Sequence, residues 1–186
     1  AGYYINLRDS KDRYAESERE KENTRIKISR FEAVNGSLLS VSGNLSGAEV
    51  GCIRSHYNVL SKTNSELTLV LEDDFQLCEN FDAELEKCLS ELPENWNALW
   101  LGGVVVKGKE DYSDNLLKIG GTTGTYGYII KHSFIPKILE ALAKENKLAD
   151  WAMSSVFENV FRSKKNLVKH RAGYSIIKGK DVTYTQ

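Results

Sequence analysis

The sequence predicts an α/β fold: one domain with a mostly parallel central sheet flanked by helices. Three observations point to it. Strand-like apolar runs alternate with helical patterns over roughly the first hundred residues, which is the signature of strands joined by crossover helices. A helix with a complete capping signature ends just before the apolar run Thr68-Leu69-Val70-Leu71. The chain of 186 residues is 41% hydrophobic and 27% charged, which suffices for a core without disulfide or metal staples.

Element by element, Tyr3 to Leu7 reads as the first strand. A charged segment follows, with Asp9 and Ser10 as candidate caps, and reads as an exposed helix to about Glu22. The run RIKISRFEAV is the second strand, and the Gly/Ser/Asn-rich stretch NGSLLSVSGNLSG is a loop. Ser46 and Glu49 form an S-x-x-E capping box, with Val50, Ile53, Tyr57 and Leu60 on one helical stripe that runs to about Lys62. After TLVL and the acids Glu72, Asp73 and Asp74, a helix is expected from about Cys78 to Leu92, stopped by Pro93. A strand is then expected in NALWLGG, followed by the glycine-framed VVVKG and a polar loop, with further strands at Leu116 to Ile119 and after the turn-rich lead of GGTTGTYGYIIK. Helices at about Phe134 to Glu145 and Leu148 to Phe161 precede two short strands in NLVKHRAGYSII.

Composition excludes several function classes. With 25 basic against 26 acidic residues the net charge is −1, which gives no electrostatic footprint for nucleic acid or an anionic membrane. The three cysteines, Cys52, Cys78 and Cys88, lack CxxC spacing and read as reduced thiols, so a reducing, cytoplasmic location is expected. No apolar run approaches the roughly 18 residues of a membrane span, and the start AGYYINLR lacks signal-peptide regions. Residues 1–186 read as a single domain, and the start without Met allows it to be one domain of a longer protein.

The acids carry the chemistry. If extended geometry persists beyond Leu71, Glu72 and Asp74 share one face and Asp73 takes the other. They stand where open α/β sheets bind ligands, outside the carboxyl end of a strand. Clustered carboxylates repel unless a cation compensates, and Mg²⁺ or Mn²⁺ is commonly held by one or two carboxylates plus substrate phosphates. The competing reading is a solvated turn whose acids favour the dipole of the next helix.

The ordered phrases YYINLRDSKDRY, RFEAVNG, EVGCIRSHYNVL and LVLEDDF, with later GTYGYII and Asp150, resemble glycosyltransferase family 25, the lipooligosaccharide and collagen galactosyltransferase relatives. The resemblance implies a GT-A fold, with a Rossmann-like nucleotide-binding half and an acceptor-binding half. It also implies a nucleotide-sugar donor and a divalent metal (Mn or Mg) on the acidic motif. Lys180 departs from the Ser usual near the end of the family pattern, and the short chain leaves little room for acceptor-binding insertions.

Residue by residue, Glu72 and Asp74 are the expected metal ligands. Donor contacts are expected from Asn6, Leu7, Arg13, the Val34, Asn35 and Gly36 edge, Ser55, His56 and Asp73. Asn6 could meet a uracil edge or cap its turn, and Arg13 could reach diphosphate oxygens or the base. Gly36 permits a positive φ and close approach of backbone to ligand, or belongs to an ordinary Asn-Gly turn. Ser55 or His56 is expected to hold the acidic loop. His170 lies among Lys169, Arg171, Lys178 and Lys180, a basic tail that could fold over a diphosphate. Tyr126, Tyr128 and Trp151 are candidate sugar contacts, since sugars stack apolar faces on aromatic rings. Asp150 is the candidate catalytic base.

The expected activity is transfer of a hexose, galactose or glucose, from a UDP-sugar to a hydroxyl of a saccharide or glycoconjugate, with inversion. The rival is a non-catalytic nucleotide-sugar or carbohydrate-binding module on the same fold. A receiver-type domain fits less well, because it needs paired acids after strand one and a single Asp after strand three.

Overall fold

The computed structural model describes the backbone of residues 1–175 and 180–182, and side chains as far as Ala172. In chain order the elements are β1 (Gly2–Asn6), α1 (Lys11–Glu20), β2 (Ile28–Glu32), α2 (Gly47–Lys62), β3 (Leu67–Glu72), β4 (Phe75–Leu77) and α3 (Phe81–Ser90). Then follow β5 (Ala98–Trp100), β6 (Val104–Lys107), β7 (Glu110–Asp111), β8 (Leu116–Ile119), β9 (Gly121–Thr123) and β10 (Gly127–Lys131). The last are α4 (Ile135–Leu142), α5 (Ala149–Ser154), β11 (Val160–Ser163), β12 (Val168–His170), β13 (Gly173–Ser175) and β14 (Lys180–Val182).

The main sheet has the order β2-β1-β3-β10-β5-β11-β8-β7. Parallel pairing holds for β2-β1-β3 and for β5-β11. The expectation of a mostly parallel sheet is corrected beyond β3, where β10 runs antiparallel to both β3 and β5, and β8 antiparallel to β11 and β7. The N-terminal trio is therefore the crossover-built half, and the remainder is mixed.

Alternation along the strands divides the core into two layers. Ile5, Val70, Trp100, Tyr128 and Ile130 face α2, α4 and α5. Tyr4, Leu69, Leu71, Leu99 and Ile129 face α3 and the β4 strand. Helices on both faces of the sheet bury its apolar strands from either side. The capping box at α2 forms as its sequence predicts: the Ser46 hydroxyl accepts from the Glu49 N–H, and the Glu49 carboxylate accepts from the Ser46 N–H.

Two further expectations are corrected. The helix expected from Leu148 to Phe161 ends at Ser154, and Val160–Ser163 is a strand buried along its whole length. Asn159, with φ of 49°, turns the chain between them. The strand β4 lies where the lead-in to α3 was expected, and it pairs with β12. Among the described residues no helix is long and apolar enough to cross a membrane.

Candidate functional site

The carboxyl ends of β1, β2 and β3 open onto a cleft of about 540 Å³, within the usual size of small-ligand sites. Its walls include Leu7, Arg13, the Val34 to Gly36 segment, Ser55, His56 and all three acids. Ten of the expected donor and metal residues thus share one crevice.

The acids do not continue the strand. β3 ends at Glu72, and Asp73 and Asp74 form the turn into β4. The expected two-against-one alternation is corrected accordingly. Arg13 pairs with Asp73 and also with Asp74, at 3.5 Å from the latter, so one guanidinium neutralises two adjacent carboxylates. Asn6 donates to Asp73 at 2.7 Å, and the Ser17 hydroxyl donates to the Asp73 carbonyl at 2.9 Å. Burial raises the Asp73 pKa, against the lowering effect of Arg13.

From the other side, the β12 strand clamps the turn. His170 Nδ1 lies 3.1 Å from an Asp74 oxygen, and the Arg171 N–H donates to the Asp74 carbonyl. Arg171 itself pairs with Glu16. The basic segment thus meets the acids directly. Lys178 lies outside the described residues, and Lys180 is described by its backbone alone.

Glu72 is held separately. Thr125 donates to its Oε1, and His56 Nε2 stands 3.4 Å from the same atom. Burial opposes charge on Glu72, but the His56 bond, the charges of His56 and His170, and the Thr125 bond outweigh it and bring the pKa down to about 2. The His56 ring is oriented by the Tyr128 hydroxyl, 2.9 Å from Nδ1.

Three expectations change at this level. Asn6 is fully buried, its amide is committed to Asp73, and its Oδ1 has no partner among the described residues, so it positions the acid and does not reach a base. Tyr128 is fully buried and stacked on Trp100 at 4.9 Å, which leaves no ring face for a sugar. Ser55 holds the Val34 N–H at 2.9 Å and not the acidic loop; of the two, His56 alone touches the acids.

Gly36 has a different reason from the one expected. Its φ is not positive; a Cβ there would come within 2.1 Å of the Gly47 carbonyl oxygen. A Cβ on Gly51 would lie 2.9 Å from the Gly36 backbone. Glycines on both sides let the β2–α2 connection touch the start of α2. Gly36→Ala should cost about 3 kcal/mol through overpacking, measured by urea unfolding; an unchanged midpoint would show that the contact is slack.

Asp150 stands at the first turn of α5. Its carboxylate accepts from the Gly124 N–H at 3.0 Å and from the Trp151 N–H at 2.8 Å. Trp151 is 48% exposed and lines a second cleft with Leu45, Val106 and Leu148. Tyr126 packs on the His170 ring at 3.9 Å. Sequence reasoning missed Thr125, Ser17 and Cys52. Only Cys52 carried a signal, its i, i+4 spacing to His56 on a helix.

Fold and cleft define an α/β protein with an acid-lined crevice at the carboxyl ends of its parallel strands. Residues 1–120 match the model of Glycosyltransferase family 25 (LPS biosynthesis protein), and the chain belongs to that family. No curated protein matches it. Among solved structures it is similar to A197 from STIV, with a TM-score of 0.43 and 11% identity over 90% of this chain and 82% of that one. It is also similar to 4-diphosphocytidyl-2C-methyl-D-erythritol synthase from Anaerococcus prevotii, with a TM-score of 0.39 and 12% identity over 89% and 90% of the two chains.

Proposed function

We propose that the chain is a metal-dependent glycosyltransferase of GT-A type that moves a hexose, galactose or glucose, from a UDP-sugar to a hydroxyl of a saccharide or glycoconjugate. The observation that carries this reading is the acidic turn on the wall of a cleft that the Val34 to Gly36 edge also lines. Oxygen donors suit Mg²⁺ or Mn²⁺, and the Thr125 and His56 contacts of Glu72 both fall on Oε1. Glu72, through Oε2, and Asp74 would hold the ion, which when bound supplies charge neutralisation to the departing diphosphate.

The chain's own residues do the rest. The Val34 to Gly36 backbone receives the base, held in place by Ser55. Arg13 and Asn6 fix Asp73, which makes Asp73 a positioning residue for the turn. Asp150 takes the proton of the acceptor hydroxyl as its oxygen attacks the anomeric carbon, the bond to the diphosphate breaks, and the configuration inverts. Each Asp150 oxygen keeps a lone pair beyond its backbone bond.

Calorimetric titration of UDP should show binding that needs Mn²⁺ and weakens at least tenfold in Asp74→Ala. Equal affinity in excess chelator would remove the metal from the reading.

A further inference from the structure

We propose that Cys52, His56 and Glu72 form a binding site for a zinc-class cation, distinct from the ion of the acidic turn and sharing with it only the Glu72 carboxylate. Cys52 and His56 lie one helical turn apart on α2, and Glu72 ends β3 opposite them. One ligand atom from each lies within 4.8 Å of the others. At ordinary zinc bond lengths, ligands around a tetrahedral ion stand roughly 3.5 Å apart, so small rotamer changes close the set.

The His56 to Glu72 geometry supports this. Their separation of 3.4 Å is long for a hydrogen bond but suits two ligands of one ion. The Tyr128 hydroxyl on Nδ1 is the kind of outer partner that orients a metal-bound imidazole and leaves Nε2 for the ion. Thr125 orients the carboxylate in the same way. Sulfur, nitrogen and oxygen donors together select zinc over magnesium. All three residues line the cleft, so a fourth coordination position opens to it, the pattern of an accessible rather than a closed zinc site.

The test uses the reduced, chelator-stripped chain and the metal alone, so its outcome does not depend on UDP binding or on transfer. Zn²⁺ titrated against a chromophoric indicator should bind at one equivalent, and Co²⁺ should give a thiolate-to-cobalt charge-transfer band. Cys52→Ala should abolish the band, Cys78→Ser should keep it, and Tyr128→Phe should weaken zinc by about 10- to 100-fold. A band that survives Cys52→Ala would overturn the proposal. Should that variant not fold, peptide-mapped alkylation of the wild type decides: zinc must slow modification of Cys52 at least tenfold, and an unchanged rate overturns the site.

Discussion

Asp150→Asn should lower the transfer rate by about 10² to 10⁴, the usual contribution of positioned proton removal. The effect should fall on turnover, because Asp150 does not line the cleft proposed for UDP. An amide keeps one acceptor oxygen for the Gly124 or Trp151 N–H, so the turn between β9 and β10 retains part of its anchor. The melting temperature should therefore change little. Steady-state rates with saturating donor, alongside UDP calorimetry, make the measurement. A variant within tenfold of wild type would take Asp150 out of the mechanism.

Arg13→Ala should destabilise the chain by about 3 kcal/mol, since removal of one partner from a largely buried ion pair leaves the other charge uncompensated. Here two adjacent carboxylates, with Asp73 9% and Asp74 14% exposed, lose the guanidinium between them, and Asp74 keeps its His170 contact. Lysine should restore little of the loss, because a point charge cannot span both acids as a guanidinium does. Urea unfolding with and without Mn²⁺ checks this. A loss below about 1 kcal/mol would place Arg13 among ordinary surface pairs.

What was legible in the sequence was local. The α2 cap depends on residues three apart, and the Val34 to Gly36 edge and the acids were marked by their places at strand ends. What depended on distant partners was not. The β4 strand is three residues long and exists because β12, far along the chain, pairs with it. The β11 strand is buried on both faces, so it shows no alternation and reads as the end of a helix. Tyr128 looked like a sugar platform because nothing near it in sequence shows that Trp100 covers its ring. Asn6 and Arg13 were expected to meet the donor, whereas their commitment to Asp73 is a tertiary fact that no local pattern shows.

If the base docks as proposed, the glycine contact between Gly36, Gly47 and Gly51 limits selectivity. Main chain meets main chain there, with no side-chain rotamer between them. A ring docking against the Val34 to Gly36 wall therefore meets a boundary of fixed width, which cannot widen for a larger base by repacking. Little ordering remains to be done when such a ligand arrives, so affinity is not spent on it. Discrimination by size at that wall is then a property of the backbone, and changing it requires moving α2.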